Sequence, residues 1–370
     1  MTLFPELETI FTKEQLKAKD AQKLAHLYSW GPIVFQVARL MRKYNIFKML
    51  SESKDGLTED EIAQNTHLSI YAVKCLMEAS LTMQTVLIET STHRYRLAKT
   101  GWFLLNDPLI NVNIDFNHDV NYEGWFLLDK AIEEGRPAGL KHFGDWSTIY
   151  QGLSKLPDHV QKSWFGFDHY YSNHSFEDSV NIIFSENKKK HILDVGGNTG
   201  NFARFVTEKL PHAKVTVCDL PEQLEMLSKQ NKGHIGENRI FCYAMDLLNE
   251  NDQFHQNASY DAIWMSQFLD CFSEKEIISI LQKVSKIMNK DNRLYIMETL
   301  WDRQKYVPAA FCLTMTSLYF TALANGNSKM YDTDTLSRCI DEGGFTIEKI
   351  YDNIGMGDHS ILVCKLSRTK

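Results

Sequence analysis

The second half of the chain alternates short apolar runs with amphipathic stretches. The apolar runs have the length of buried strands, and the stretches between them place apolar residues three or four positions apart, as helices do. The predicted strands are HILDV, KVTVCDL, RIFCYAM, YDAIWMSQ and RLYIMETL, and two final runs, TIEKIYDNI and HSILVCKL, predict a closing hairpin. This alternation predicts an α/β fold with a doubly wound, mostly parallel seven-stranded sheet. Such a sheet binds ligands at the carboxyl ends of its strands.

The first third predicts short helices followed by a hairpin. Thr58 and Glu61 have the spacing of a capping box, and Ser69 is placed to cap a second helix. Two β-like runs, Val86–Glu89 and Tyr95–Leu97, follow. Helices joined to a hairpin are typical of a winged helix, which suggests DNA binding, packing or dimerisation. Because the second helix has a single basic residue, phosphate contacts would be few, and packing or dimerisation is favoured.

Aromatic residues and histidines crowd the middle of the chain. Their spacing is typical of helical core, but the density of amphipathic side chains in FGFDHYYSNHS favours a partly wet ligand cavity. Three parts are therefore predicted. Residues 1–110 form a winged-helix-like packing or dimerisation domain, 111–186 form linker helices along a ligand pocket, and 187–370 form the α/β domain with a ligand site at its strand ends.

Composition and charge exclude several classes of protein. The chain has 370 residues, 44% of them hydrophobic, and its net charge of -7 argues against a nucleic-acid partner. Seven cysteines without a C-x-x-C pair predict reduced thiols, a cytoplasmic location and no metal site. The N-terminus lacks the apolar core of a signal peptide. The apolar stretch 309–324 is short for a bilayer span and predicts a buried helix, so no membrane partner is expected.

The segment ILDVGGNTGNF carries the strongest chemical signal. Glycines directly after a buried strand let the backbone turn tightly and approach a ligand. The spacing is G-G-x-x-G, which is neither the dinucleotide fingerprint nor a phosphate-binding loop. Asp194, before the turn, would repel a pyrophosphate but suits a cationic amine. Asp219 ends the next strand, where a carboxylate can bind both ribose hydroxyls, and Asp246 ends the third, where it can accept from an adenine amino group.

These motifs resemble those of the class I S-adenosylmethionine-dependent small-molecule O-methyltransferases with an N-terminal winged-helix dimerisation domain. The likeness covers LTEDEIAQ through RYRLAKTGWFLL, the linker WFLLDKAIEEGRPAGLKHFG, and the cofactor motifs ILDVGGNTG, CDLPEQL and AMDLL. It implies a Rossmann-like methyltransferase fold, S-adenosyl-L-methionine as cofactor and a homodimer. The cofactor residues that the resemblance implies are Phe167, Tyr171, Ser175, Asp194, Gly196, Gly197, Gly200, Asp219, Leu220, Asp246, Leu247 and Ser266.

The resemblance also implies which motif binds which part of the cofactor. The glycine turn lines the methionine end, CDL the ribose and MDL the adenine. FDHYYSNHS resembles the segment that closes over the cofactor, although the family often has Met in place of Tyr171. An aromatic face beside a sulfonium gives a cation–π contact.

The sequence departs from the family at the catalytic base. The family has a His after the fourth strand, where QFLDCFSEKE has Asp270. Of the two carboxylates that orient that His, Glu298 is kept and Met330 replaces the other. Three explanations stay open: Asp270 is the base, with a pKa raised by burial; the acceptor arrives already ionised; or the fold binds the cofactor without methyl transfer. His118 and His174 are further candidate bases.

The predicted acceptor pocket is aromatic. It comprises His118, Trp125, Phe268, Met315 and Tyr319, which suggests a hydroxylated aromatic small molecule such as a phenol or quinol. The leading prediction is therefore an O-methyltransferase acting on such a molecule. The alternatives are a non-methylating reaction on the same cofactor-binding fold, such as hydroxylation or decarboxylation, and a ligand-sensing winged-helix regulator.

Overall fold

The computed structural model describes residues 3–185, 190–255 and 259–367. The chain divides into two units, one of Glu14–Val120 and one of Met1–Lys13 with Asn121–Lys370. The domain boundaries at 110 and 186 stay predictions.

Helices account for most of the first half. The α-helices before the first strand are α1 (Pro5–Phe11), α2 (Ala18–Ser29), α3 (Gly31–Lys43), α4 (Ile46–Glu52), α5 (Glu59–Thr66) and α6 (Ile70–Thr82). The hairpin β1 (Val86–Glu89) and β2 (Arg94–Leu97) precedes α7 (Lys99–Asn106), α8 (Pro108–Phe116), α9 (Leu128–Glu134), α10 (Asp158–Asn173) and α11 (Phe176–Ile183).

Strands and helices then alternate. In chain order they are β3 (His191–Val195), α12 (Asn201–Lys209), β4 (Lys214–Asp219), α13 (Pro221–Gln230), β5 (Ile240–Ala244), β6 (Ala262–Ser266), α14 (Glu274–Ser285) and β7 (Arg293–Glu298). The chain ends with α15 (Val307–Tyr319), α16 (Thr333–Glu342), β8 (Phe345–Ile354) and β9 (His359–Leu366). Tighter or wider turns include a 3-10 turn at Leu269–Cys271 and π turns at Asn117–Asn121 and Phe320–Ala324.

The unit Glu14–Val120 has the predicted helices and hairpin. Thr58 and Glu61 form the predicted capping box at the start of α5, and the Ser69 hydroxyl accepts from the Ala72 amide at the start of α6. Strands β1 and β2 pair antiparallel, and β2 begins one residue before the predicted run. The helices bury an apolar core that includes Met41 and Phe47. The predicted caps are thus confirmed.

The described strands of the other unit form the predicted sheet. Its seven strands have the order β5-β4-β3-β6-β7-β9-β8. The pairs β3–β4, β4–β5, β3–β6 and β6–β7 are parallel, and β9 pairs antiparallel with β7 and β8. Separate apolar clusters pack on the two faces, which explains why these strands are almost continuously hydrophobic. The chain order reverses at β3, so the carboxyl ends of β3, β4 and β6 border a crevice.

The long apolar segment of α15 is only partly buried. By length and composition Val307–Ala324 could cross a membrane, and 44% of it is buried in the structure. Ala310 and Leu313 face the core, whereas Phe311 and Met315 are exposed. The prediction of a buried helix is therefore correct for one face only. The polar side chains that interrupt this stretch are satisfied along the helix, since the Thr314 hydroxyl donates to the Ala310 carbonyl over 3.0 Å.

Candidate active site

The turn after β3 has a left-handed backbone at three positions, which glycine and asparagine adopt more readily than other residues. Gly196 (φ +75°), Asn198 (φ +51°) and Gly200 (φ +78°) all lie in the left-handed region. A Cβ on Gly196 would lie 2.1 Å from a ring carbon of Phe268, so no larger residue fits there. The predicted glycine turn therefore also touches Phe268, a residue of the predicted acceptor pocket.

Asp194 lies beneath this turn as a buried carboxyl group. Its side chain is 2% exposed, and Oδ2 has no hydrogen-bond partner in the described chain. A Cβ on Gly197 would lie 2.6 Å from this oxygen. Burial, together with the charge of Asp219, raises the pKa of Asp194 to about 8. An unsatisfied buried carboxyl is costly, and a cationic ligand in the crevice would satisfy it.

Asp219 joins the ends of two neighbouring strands. Its Oδ2 accepts from the Asn198 amide over 2.8 Å, and its Oδ1 accepts from the Leu220 amide over 2.7 Å. Burial raises the pKa of Asp219 to about 6, although these two hydrogen bonds oppose the rise. Each oxygen keeps a lone pair for a ligand hydroxyl. Asn198 was not predicted; a left-handed φ, which Asn tolerates better than most residues, explains its presence.

An open cleft follows the carboxyl ends of β3 and β6. Its lining residues are Asp168, His169, Phe176, Asp194, Gly196, Gly197, Asn198, Thr199, Asn201, Phe202, Trp264, Ser266 and Gln267. Four of the predicted cofactor residues are thus brought together. The remaining lining residues, which were not predicted, belong to α10, α11, α12 and the ends of β3 and β6. These segments are far apart in the sequence, so no local residue pattern shows that they meet.

Several predicted cofactor residues lie outside this cleft. Asp246 is exposed, and its Oδ1 accepts from the Leu248 amide over 2.9 Å, while Leu247 is buried in the core. The carbonyl of the buried Ser175 accepts from the Ser179 hydroxyl over 2.7 Å. Gly200 and Leu220 lie next to cleft or strand-end residues in the sequence, and Phe167 is half-buried. The side chain of Tyr171 lies outside the described residues. Their cofactor roles stay predictions.

Glu298, at the end of β7, holds the turn that carries Asp270. Its Oε1 accepts from the amides of Phe268 and Leu269, over 3.1 and 2.9 Å. The side chain is 4% exposed, and Oε2 has no partner in the described chain. Burial and the neighbouring Asp270 hold the pKa of Glu298 well above its usual range. Glu298 is therefore a positioning residue for this turn.

Asp270 is itself buried, with 5% of its surface exposed. The Cys271 thiol donates to its Oδ1 over 3.5 Å. Burial raises the pKa of Asp270 to about 7, and the charge of Asp168 contributes to the rise. Ser273 and Glu276 form the predicted capping box of α14, so Asp270 is not needed as the helix cap. A buried carboxyl with this pKa suits proton transfer near neutral pH.

Two further side chains fix the same turn from the segment after α15. Asn325 Nδ2 donates to the Cys271 carbonyl over 2.5 Å, and the Tyr331 hydroxyl donates to the Phe272 carbonyl over 2.6 Å. Between them Met330 contacts the hydroxyl of Thr299 through its sulfur. Met330 is buried, so an acid at this position would place an unpaired charge in the core.

The predicted acceptor residues have different surroundings. The buried Tyr319 hydroxyl accepts from Trp164 Nε1 over 2.8 Å, and burial raises its pKa. Trp125 Nε1 is buried and has no partner in the described chain, whereas Met315 is exposed. His118 belongs to the unit Glu14–Val120, so its role at this site stays a prediction.

Tyr150 was not singled out from the sequence. It hydrogen bonds to Cys271, and burial holds its pKa well above the usual range. A tyrosine in an irregular segment gives no periodic signal, so only the folded chain connects it to the Asp270 turn. Among the described residues, no group of three or more His, Cys, Asp or Glu is arranged to hold a metal ion.

Two regions of the chain match known protein families. Residues 22–95 match a dimerisation2-like domain, and residues 193–294 match a methyltransferase domain. Acetylserotonin O-methyltransferase from Gallus gallus is 22% identical over 78% of this chain and 83% of its own length. The chain therefore contains a methyltransferase domain, and over most of its length it is similar to S-adenosylmethionine-dependent O-methyltransferases.

Solved structures of methyltransferases share the fold. Mitomycin 7-O-methyltransferase superposes with a TM-score of 0.71 at 14% identity, covering 94% of this chain and 98% of its own. Human N-acetylserotonin methyltransferase, solved with S-adenosylmethionine, gives 0.64 at 17% identity and covers 96% and 100%. The predicted Rossmann-like methyltransferase fold is confirmed.

Proposed function

We propose that this methyltransferase transfers the methyl group of S-adenosyl-L-methionine to a hydroxyl oxygen of an aromatic small molecule of the phenol or quinol type. The observation that carries the proposal is the contact between Gly196 and Phe268, because it joins the cofactor turn to the Asp270 turn. Phe268 begins the segment whose amides bind Glu298. A cofactor cleft and a buried carboxyl with a pKa of about 7 are therefore neighbours in one unit.

The residues of the cleft fit the methionine end of the cofactor, and residues at the neighbouring strand ends are proposed to bind the rest. The Asp194 carboxylate would hold its amine, and the glycine turn leaves room for the methionine end. Asp219 would bind the ribose hydroxyls with its remaining lone pairs, and Asp246 with Leu247 would contact the adenine. Bound S-adenosyl-L-methionine supplies a methyl group on a positively charged sulfur.

Asp270 is proposed to accept the proton of the acceptor hydroxyl. A base with a pKa near 7 is available at neutral pH and still strong enough to assist deprotonation. Glu298 fixes the backbone on which Asp270 lies, so the carboxylate needs no rearrangement. Tyr319 and Trp125 would form aromatic walls beside the acceptor ring.

The proposal is tested with purified protein and a panel of phenols, quinols and flavonoid-like molecules. Mass spectrometry should detect an acceptor that gains one methyl group, together with S-adenosyl-L-homocysteine in equal amount. Turnover of the cofactor to any product other than S-adenosyl-L-homocysteine and a methylated acceptor would contradict the proposal.

The protein is further proposed to act as a homodimer in the cytoplasm. Large apolar side chains are exposed on the unit Glu14–Val120, among them Leu27, Tyr28, Trp30 and Ile33. They support dimerisation because exposed apolar patches of this kind usually mark interaction surfaces. Seven free thiols support a reducing compartment. Size-exclusion chromatography with light scattering would show about twice the chain mass of 42.8 kDa.

Cofactor affinity should depend on pH through Asp194. A protonated Asp194 cannot pair with the ligand amine, so binding weakens as the pH falls below its pKa of about 8. We expect the affinity for S-adenosyl-L-homocysteine to rise by about tenfold or more from pH 6 to 8, as each pKa unit corresponds to a factor of ten. Calorimetry at several pH values measures this rise. A flat profile in the wild-type protein would contradict the role of Asp194.

Asn325→Ala should loosen the Asp270 turn without touching the cofactor cleft. The Cys271 carbonyl loses its side-chain donor, so we expect kcat to fall by about tenfold, the cost of one strong hydrogen bond. Asn327→Ala, which removes an exposed amide from the same segment, is the matched control. Steady-state kinetics measures the effect on turnover, and S-adenosyl-L-homocysteine binding measures any effect on the cofactor cleft. Equal kcat in the two variants would contradict a positioning role for Asn325.

A further inference from the structure

We propose that Lys283 is a positioning residue for the adenine end of the cofactor and makes the site select adenine over purines that lack the amino group. This inference rests on the proposed function, in which Asp246 binds the adenine. It depends on the burial of Lys283 and on the hydrogen bonds that connect this lysine to the Asp246 carboxylate.

Lys283 is a buried cation on α14 that pairs with no carboxylate among the described residues. Its side chain is 6% exposed, and its Nζ donates to the carbonyls of Leu247 and Asn249 over 2.8 and 2.6 Å. Its neighbours on the helix include the buried apolar residues Ile280 and Val284. A lysine is costly in such surroundings, and an apolar side chain would serve the core as well or better, so packing alone does not explain it.

The Leu247 carbonyl belongs to the peptide unit whose N–H holds the Asp246 carboxylate. That N–H is the amide of Leu248, which donates to Asp246 Oδ1 over 2.9 Å. An ammonium on the carbonyl oxygen polarises the peptide unit and makes its N–H a stronger donor, because hydrogen bonds in a chain reinforce one another. Lys283 therefore strengthens the bond that fixes Oδ1 of Asp246 and leaves Oδ2 for the ligand.

The second carbonyl contact of Lys283 holds the rest of the loop after β5. The Asn249 amide donates to the Asp246 carbonyl over 3.1 Å and so closes a turn. Asp252 braces this turn, since its Oδ2 accepts from the Asp246 amide and its Oδ1 from the Asn249 side chain, both over 3.1 Å. Asp246 is exposed. A carboxylate that competes with water for a ligand gains affinity from being held in place beforehand.

A carboxylate held in this way distinguishes adenine from hypoxanthine. The amino group at C6 of adenine donates to Asp246 Oδ2. Hypoxanthine has a carbonyl oxygen at C6 instead, and two acceptors that face each other are unfavourable. Hypoxanthine also has an N–H at N1, which a carboxylate that rotates freely can reach and a fixed one cannot. Release of Asp246 should therefore weaken adenine and favour hypoxanthine, which lowers the selectivity of the site.

The experiment compares S-adenosyl-L-homocysteine with S-inosyl-L-homocysteine, which carries hypoxanthine in place of adenine. Calorimetry measures the affinity of both for the wild type, for Lys283→Met and for the control Lys286→Met. Methionine keeps the unbranched apolar stem of lysine. Lys286, at the end of the same helix, is exposed and donates to Gln253 Oε1 over 3.0 Å, so its removal changes the charge beside this loop without affecting the Leu247 contact.

We expect the wild type to prefer the adenosyl ligand at least tenfold, the effect of one strong hydrogen bond. Lys283→Met should bring the two affinities to within about twofold, and Lys286→Met should keep the preference. Asp246→Ala removes the end of the hydrogen-bond chain, so Lys283→Met should not change the preference further in that background. Lys283→Gln serves if the methionine variant does not fold. It keeps an uncharged donor and should still lose about threefold of the preference, because bonds from charged donors are roughly twice as strong.

The outcomes separate this inference from the proposed function. Equal weakening of both ligands in Lys283→Met, or an unchanged preference, overturns the positioning role and leaves Lys283 as a structural residue. Equal affinity of the wild type for both ligands also overturns it, while the proposed function stands because S-adenosyl-L-homocysteine is bound. Failure of the wild type to bind S-adenosyl-L-homocysteine removes both.

Discussion

Asp194→Asn should abolish cofactor binding while making the ligand-free protein more stable. The buried carboxylate is the proposed partner of the cofactor amine, and loss of a buried ionic partner costs about 3 kcal/mol or more, which corresponds to at least a hundredfold in affinity. Calorimetry with S-adenosyl-L-homocysteine measures this loss. Asp145→Asn, at an exposed position, controls for the change of net charge.

The gain in stability follows from the direction of the pKa shift. Asp194 has a folded pKa of about 8, against about 3.9 in an unfolded chain, so the folded state binds the proton more tightly. The stability that this proton contributes is present at low pH and is lost as the pH rises toward 8. Asparagine does not titrate. At pH 8 the variant should therefore melt at least ~2 °C above the wild type. A variant that melts lower and still binds the cofactor would contradict both parts.

Asp270→Asn should reduce turnover and leave cofactor affinity within about twofold of the wild type. General-base assistance contributes about 10²–10⁴ to rate, so we expect kcat to fall by at least a hundredfold. In the wild type, kcat should rise with pH through about 7, as Asp270 loses its proton. Asp291→Asn, at an exposed position, is the control for charge.

An acidic acceptor separates the remaining explanations. A dinitrophenol is ionised at neutral pH, so it does not need a base, and Asp270→Asn should lose far less activity with it than with an unsubstituted phenol. Equal losses for both acceptors would indicate that Asp270 positions the acceptor. Unchanged activity with both would leave another base or an acceptor that arrives ionised.

The sheet was predictable because its strands are short, apolar and buried on both faces. HILDV and RLYIMETL have little alternation, and each is followed by turn residues that end the strand. Capping boxes are equally local, since Ser273 and Glu276 need only the correct spacing. Features of this kind depend on neighbouring residues, which is why sequence reasoning located the strands, the caps and the three aspartates at strand ends.

The rest of the site depends on contacts between distant segments. Asp168 reaches the cleft from α10, and Asn325 reaches the Asp270 turn from a position more than fifty residues away. Neither has a local pattern that distinguishes it from a surface residue. The partial exposure of α15 was missed for the same reason: composition gives its apolarity, but only packing decides which face is covered.

The sulfur of Met330 beside Thr299 has a consequence for substitutions at position 270. An imidazole at position 270 would need acidic side chains on two sides to hold its ring and stabilise its charge, and this chain offers one. Exchange of Asp270 for His alone would therefore leave a loosely held ring that reacts poorly, whereas exchange of Met330 for Glu alone would crowd negative charge into the core. The two exchanges therefore depend on each other, because each alone leaves either a ring without its second carboxylate or a buried charge without a partner.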